Sequence, residues 1–156
     1  GVFFSWLILG DLLSHAAVNF VVTQPGQYGS SVAFVSELGI AFTLMSVVLF
    51  TANSVRVARF TPYFAGGLVA LYIAVESPIS GMSMNPARTF ASAIVAGNWT
   101  GWWIYFLAPP VAMLTAGEFF VRTRGLSKVL CAKLNHFGKA RCIFNCCYPM
   151  ETYVYD

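Results

Sequence analysis

The chain has 156 residues and a formal net charge of +3, and 58% of its residues are hydrophobic while only 10% are charged. Soluble domains carry about 25% charged residues, so this composition excludes a protein whose surface mostly faces water. Long apolar runs predict instead an all-α membrane protein in a lipid bilayer. The small net charge gives no reason to expect a nucleic-acid partner.

The first 30 residues predict the end of a membrane-spanning helix and an external loop. Residues 2–13 are apolar, and Asp11 and Ser14 are expected to end this helix. No basic segment or small-residue cleavage site marks it as a signal peptide. We therefore expect the chain to begin inside a helix, as a fragment would. Residues 14–30 contain no Lys or Arg, and we expect this loop to pack partly on the membrane face.

Three further segments are predicted to be membrane-spanning helices. They cover residues 32–52, residues 61 to about 75, and residues 103–121, and each is apolar. Small residues recur at helix-packing spacing in two of them, as Gly66, Ala70 and Ala74 and as Ala108, Ala112 and Ala116. Such faces allow close helix contact, although membrane helices are in any case rich in Gly and Ala.

Residues 77–97 predict a loop that enters the membrane and leads into a short helix. Asn85 suits the N-cap, Pro86 suits the first helical position, and Gly97 is a strong stop. About eleven residues at 1.5 Å each give a helix of roughly 17 Å, about half the hydrocarbon core. The sequence thus indicates a half-length helix at membrane depth.

The basic residues support a re-entrant path for this segment. Arg56 and Arg59 lie in one connector, and Arg122, Arg124, Lys128, Lys133, Lys139 and Arg141 lie near the C-terminus. The positive-inside rule places both groups in the cytoplasm, which requires an even number of crossings between them. Two predicted spans supply that number, so residues 77–97 must return to the side they entered. Residues 125–156 are then a cytoplasmic tail.

A re-entrant loop exposes backbone groups that lipid cannot satisfy, so it must be buried or line a watery cavity. We expect the backbone of Gly81, Met82 and Ser83 to line that cavity. The helix N-terminus at Asn85 and the charge of Arg88 would repel cations and offer donors to a neutral polar solute. The alternative is that Arg88 pairs with a surface carboxylate. An arginine in the first turn opposes the helix dipole, however, which favours a role at the cavity.

Two acidic residues have predicted partners. Glu37 lies within a predicted span and is expected to accept hydrogen bonds from loop N–H groups and brace the loop. The alternative is a proton relay, but we expect no second acid or histidine at comparable depth, which favours the brace. Glu118 lies four residues before Arg122 and predicts an i,i+4 pair near the interface.

Residues 81–90, Gly-Met-Ser-Met-Asn-Pro-Ala-Arg-Thr-Phe, resemble the second Asn-Pro-Ala signature of the aquaporin, or major intrinsic protein, family. The resemblance extends from the helix of Glu37 through Arg122 and looks nearest to bacterial, water-type members. It implies that residues 1–124 form part of an aquaporin-like bundle that conducts water passively and needs no cofactor. It also implies a homotetramer in the bacterial inner membrane or a plasma membrane, and no enzymatic activity.

The resemblance implies a role for particular residues. The pore motif is Asn85, Pro86 and Ala87, the selectivity filter includes Ile73, Met82 and Arg88, and Glu37 matches the loop brace. Thr89, Ala93 and Tyr105-Phe106 look like the water-type pattern. Ile73 stands where water-selective filters often have His, which implies a wider constriction with room for ammonia, hydrogen peroxide or small neutral solutes.

The family is built from two inverted repeats, each with its own half-helix and motif, whereas this chain has one motif. Inverted repeats build their site at the interface between the repeats. We therefore expect a fragment that lacks the first repeat and does not conduct alone.

The tail offers an alternative function, a membrane-anchored module that binds metal or senses redox state. Cys131, His136, Cys142 and Cys146 could hold zinc tetrahedrally, with Cys147 as a substitute ligand. Their spacing is irregular for a zinc site. Reduced thiols without a ligand, or acylated cysteines on a basic segment, are the other interpretations.

Zinc content distinguishes these interpretations of the tail. If the tail binds zinc, the purified protein contains about one zinc per chain and the Cys142→Ser variant loses it, because a thiolate ligand is removed. Metal analysis of both proteins measures this. Metal-free wild-type protein would contradict the zinc site.

Overall fold

The computed structural model describes residues 1–130, in which every regular element is helical. The α-helices are α1 Val2–Leu9, α2 Asp11–Ser14, α3 Gly29–Ala52, α4 Thr61–Ser80, α5 Pro86–Ala96 and α6 Trp102–Arg124. Short 3₁₀ turns lie at Asn19–Val21, Ala58–Phe60 and Leu126–Lys128. The predicted all-α membrane fold is confirmed.

Three helices in this part of the chain are long and apolar enough to cross a membrane. They are α3, α4 with its preceding 3₁₀ turn, and α6, with mean hydropathies of 2.1, 1.3 and 1.5. The 24 residues of α3 and the 23 of α6 give lengths of about 36 and 34 Å, enough for a core of about 30 Å. The 11 residues of α5 give about 17 Å, so the half-length helix is confirmed.

The end of α4 was predicted too early. The helix continues to Ser80 instead of ending near Val75, and the loop therefore begins at Gly81 and not at residue 77. Pro78 removes one hydrogen bond from the last turn, a small loss at a helix end. Gly81 then closes the helix with φ of 78°, and its N–H donates to the Ser77 carbonyl over 3.0 Å. A left-handed glycine is a common helix stop.

The N-terminal segment also differs from the prediction. Residues 2–13 do not form one helix, because Gly10 breaks it with φ of 52°. Asp11 begins the second, shorter helix instead of ending the first. The next span begins at Gly29, three residues before the predicted start, so the external loop is shorter than expected.

The bundle is organised around α3, which packs most extensively against α6 and then against α4. The small-residue face Ala108, Ala112 and Ala116 of α6 is buried, which confirms close packing there. The corresponding residues Gly66, Ala70 and Ala74 of α4 are exposed. Of the two small-residue faces, only that of α6 is covered within residues 1–130.

The connector after α3 and the described part of the second basic group, up to Lys128, lie at the same end of the bundle, as the charge argument required. The backbone N–H of Leu130 donates to Asn53 Oδ1 over 2.8 Å, which joins the segment after α6 to the connector after α3. The chain between these points runs through α4 and α6, which are both of membrane-spanning length. The geometry therefore agrees with a re-entrant loop and α5.

Enlarging a buried small residue of α6 should destabilise the bundle. We expect Ala112→Leu to lower the free energy of unfolding by about 1–3 kcal/mol, because Ala112 is buried and the added carbons would overpack its surroundings. Ala70→Leu, on the exposed face of α4, should change it by less than about 0.5 kcal/mol. Denaturant unfolding in detergent micelles measures both. Equal effects would contradict the packing described here.

Candidate functional site

The loop between α4 and α5 is held by the carboxylate of Glu37, which is fully buried. Its Oε1 accepts hydrogen bonds from the Ser83 N–H at 2.7 Å and from the Ser80 hydroxyl at 2.9 Å. Its Oε2 accepts one from the Met84 N–H at 2.8 Å. These are the contacts with loop N–H groups that the sequence led us to expect. They satisfy donors that lipid would leave without partners.

Arg88, in the first turn of α5, binds the same loop through its carbonyl groups. Its Nη1 lies 2.7 Å from the Met82 carbonyl oxygen and 3.5 Å from that of Gly81. The loop therefore gives its N–H groups to a carboxylate and its carbonyls to a guanidinium. This double contact explains why an arginine is retained where the helix dipole opposes it.

Two loop residues adopt left-handed backbone conformations that are unusual for their type. Met82 has φ of 45° and Met84 has φ of 52°. Each such residue costs on the order of 1–3 kcal/mol and persists only where surrounding contacts enforce it. Both side chains are buried beside Ile40 of α3, and packing supplies this enforcement together with the bonds to Glu37.

A chain of hydroxyl groups joins the loop to an outer segment formed by residues 23–26. Thr23 Oγ1 lies 2.7 Å from Thr89 Oγ1, which in turn lies 2.6 Å from Ser83 Oγ. All three side chains are buried. The external loop thus packs on the loop before α5 and on α5 itself, through hydroxyl partners that the sequence did not reveal.

Close backbone contact explains two glycines at this junction. A Cβ on Gly26 would lie 2.0 Å from the Pro78 carbonyl oxygen, and one on Gly81 would lie 2.9 Å from backbone atoms of Gln24. The Gly26 N–H also donates to the Ile79 carbonyl over 2.9 Å. No larger residue fits at either position without moving the outer segment away from the loop.

Tyr105 of α6 is a further contact that the sequence analysis did not assign. Its ring is fully buried, and its hydroxyl donates to the Ser80 carbonyl over 2.5 Å. Ser80 therefore links Glu37 of α3, the end of α4 and Tyr105 of α6.

The start of α5 follows the predicted capping pattern. Asn85 Oδ1 accepts a hydrogen bond from the Ala87 N–H over 2.8 Å, and Pro86 occupies the first helical position. Gly97 ends the helix in a left-handed conformation. The amide Nδ2 of Asn85 has no hydrogen-bond partner within residues 1–130, and the side chain is exposed. This donor is available to a molecule beside the helix N-terminus.

A cavity of about 380 Å³ brings five of the expected pore residues together, but Gly81, Pro86 and Ala87 are not part of its lining. Its lining includes Ile73, Met82, Asn85 and Arg88, together with Leu44, Val69, Ser83, Met84 and Met113. Apolar side chains form most of this wall, and Asn85 and Arg88 place donors beside it. Val69 lies one turn before Ile73, so helical periodicity could have identified it. No sequence signal places Met113 of α6 here.

Glu76 corrects one premise of the sequence analysis. It is only 8% exposed on α4 and lies one helical turn from Ser80, which contacts Glu37. A second acid therefore does lie at comparable depth. Its Oε1 has no hydrogen-bond partner among the residues that the structure describes. The Glu37 carboxylate, by contrast, accepts hydrogen bonds from three donors in and beside the loop.

The predicted pair of Glu118 and Arg122 is present, with Nε and Oε1 separated by 2.7 Å. The predicted zinc ligands Cys131, His136, Cys142 and Cys146 lie outside the described residues. Within residues 1–130, no three His, Cys, Asp or Glu side chains form a group that could hold a metal ion.

Comparison with known proteins identifies a family and several relatives that resemble this chain. The family profile described as major intrinsic protein matches residues 1–120. Aquaporin NIP3-1 of Zea mays is 37% identical over 108 residues, which are 68% of this chain and 36% of the relative. Nodulin-26 of Glycine max is 36% identical over 132 residues, 79% of this chain and 49% of the relative. Probable aquaporin NIP4-2 of Arabidopsis thaliana is 35% identical over 132 residues, which are 79% of this chain and 47% of the relative.

The chain belongs to the major intrinsic protein family. It spans about half or less of the length of these relatives. All three are plant proteins, so they do not support the expected bacterial, water-type subclass.

Removing the Glu37 carboxylate should destabilise the loop. We expect Glu37→Ala to lower the free energy of unfolding by about 3–9 kcal/mol, because three buried donors lose their acceptor at about 1–3 kcal/mol each. Glu118→Ala, which breaks an exposed pair, should cost less than about 1 kcal/mol. Unfolding in detergent micelles measures both variants. Similar losses would contradict the bracing role.

Proposed function

We propose that this chain provides one half of a passive transmembrane channel for water and small neutral solutes. The observation that carries the proposal is the cavity beside the loop between α4 and α5. Asn85 and Arg88 meet there with Ile73 and Met82, and the loop behind them is fixed by Glu37. These side chains are the first residue of the expected pore motif and the three filter positions implied by the resemblance to the family.

The cavity has the chemistry that such a solute needs. The Asn85 amide and the unshared N–H groups of Arg88 donate hydrogen bonds, so a water molecule or a small hydroxyl compound can replace part of its hydration shell. The mostly apolar wall offers few other polar contacts and would keep binding weak enough for release. The positive charge of Arg88 and the N-terminus of α5 repel cations, including hydronium.

The permeant range follows from the aliphatic filter position. Ile73 contributes no donor or acceptor, and a narrower, more polar constriction would require a histidine or similar side chain there. We propose that water passes and that ammonia, hydrogen peroxide or another small neutral solute can accompany it. The relatives named aquaporin support water as a permeant of this chain.

A complementary half is needed to enclose the path. Most of α4 is exposed, and Ile73 and Asn85 are exposed beside the open cavity. We propose that a first repeat, or an assembly that supplies one, covers this side, and that complete channels form homotetramers. The positive-inside rule orients the ends of α3 and α6, and the tail, toward the cytoplasm. For a plant-like member, a plasma membrane is the proposed location.

Swelling of reconstituted vesicles tests the channel. Vesicles with the chain alone should swell at the rate of bare lipid. A chimera in which residues 1–124 replace the matching part of nodulin-26 should conduct water. In that chimera, Arg88→Val removes the charge that repels cations and should raise the cation leak about tenfold or more. A free-energy barrier to cation passage that is lower by about 1.4 kcal/mol gives that factor.

Arg122→Gln in the same chimera is the matched control and should leave the leak unchanged, because Arg122 is exposed and paired with Glu118. Rapid swelling with the chain alone would contradict the half-channel. A correctly inserted chimera that conducts no water, or one whose leak ignores Arg88, would contradict the assigned pore residues.

A further inference from the structure

A second cavity, of about 450 Å³, lies where α3 and α6 end, and the channel proposal makes no use of it. Its lining includes the rings of Phe50 and Phe120, the polar side chains of Asn53 and Ser54, and the cations Arg124 and Lys128. The cavity therefore combines an apolar wall with two positive charges at the end of the membrane-spanning bundle.

The two cations of this cavity have no acidic partner in the described part of the chain. The only ion pair within residues 1–130 joins Arg122 to Glu118. Arg124 instead stacks on Phe50, with its guanidinium carbon 5.2 Å from the ring centroid. Stacking uses the face of the guanidinium and leaves its N–H edge free to donate. The C-termini of α3 and α6 contribute only about half a negative charge each, so the two cations leave a net positive site.

The remaining polar groups favour a ligand that accepts hydrogen bonds. Asn53 Nδ2 already donates to the Leu49 carbonyl over 2.9 Å, and its Oδ1 accepts from the Leu130 N–H over 2.8 Å. The groups that can still donate are the guanidinium edge of Arg124, the ammonium of Lys128 and the Ser54 hydroxyl, which forms no side-chain hydrogen bond within residues 1–130. Phosphate oxygens match such a set of donors.

The surroundings point to a lipid as the source of the phosphate. The cavity lies where two apolar helices of membrane-spanning length end, which is where a bilayer would place its headgroups. Leu126 and Val129 flank Lys128 and are 75% and 43% exposed, although they are apolar. Free phosphate would make no use of these side chains, whereas acyl chains would cover them.

We propose that this cavity binds the headgroup of an acidic phospholipid, with Arg124 and Lys128 holding the phosphate and the acyl chains lying along the adjacent apolar surface. Basic pockets between helices at a cytoplasmic interface suit such headgroups. The site is independent of conduction, so it holds whether or not the chain forms a pore.

Lipid binding by the full chain tests this site. The chain is reconstituted in phosphatidylcholine nanodiscs with or without phosphatidylglycerol, and retained lipid is measured by native mass spectrometry. The wild type should retain phosphatidylglycerol in preference. Arg124→Gln/Lys128→Gln should reduce this preference roughly thirtyfold, since each cation contributes about 1 kcal/mol. Arg56→Gln/Arg59→Gln removes the same charge from the connector and should leave the preference unchanged.

A third variant separates the cavity from its charge. Ser54→Phe keeps both cations but fills the space, so it should also lose the preference. Circular dichroism confirms that each variant keeps its helices. The proposal is overturned if both double variants lose the preference for phosphatidylglycerol equally. The lipid would then be attracted by the overall positive charge of the protein and not by this cavity. The proposal is also overturned if Ser54→Phe retains the preference, or if inorganic phosphate alone stabilises the protein in detergent as strongly as phosphatidylglycerol does.

Discussion

Non-helical backbone at membrane depth must have its hydrogen bonds satisfied by the protein, since lipid offers none. In this chain the requirement falls on the four residues 81–84 between α4 and α5. The Glu37 carboxylate takes N–H groups from one side of the loop, and the Arg88 guanidinium takes carbonyls from the other. The two charged side chains thus bind backbone groups that would otherwise be buried without a hydrogen-bond partner. The rest of the site depends on this arrangement.

Fixing the loop also fixes the helix that follows it. Because the backbone up to Met84 is held by α3, the N-terminus of α5 and the free amide of Asn85 lie beside one cavity. The outer segment of residues 23–26 and the hydroxyl of Tyr105 secure the same loop from two further elements. Every long element of the bundle therefore contributes to the position of a few donors, which is how a scaffold can hold a filter rigid.

Positive charge serves different purposes at two levels of this bundle. Arg88 is partly buried and bound to carbonyls, so its charge acts on whatever occupies the adjacent cavity. Arg124 and Lys128 lie where the spans end, and no carboxylate of the described residues neutralises them. In the channel that we propose, the first placement would exclude ions from a path, and in the lipid site that we propose, the second would favour anionic lipid around the protein. The same residue types thus give opposite results because their depth differs.

The sequence alone determined three features, because each depends on residues that are close together in the chain. The length of the apolar runs gave the membrane class, and the caps gave the half-helix over residues 85–97. An acid within a predicted span gave Glu37 its role as a hydrogen-bond acceptor. Only the tertiary structure decided that Thr23 meets Thr89, that Met82 turns left-handed and that α4 continues through Pro78. Thr23 and Thr89 are 66 residues apart, and such contacts depend on how helices pack. The helical periodicity of a sequence indicates which residues share a face of one helix. It does not indicate which face of another element they contact.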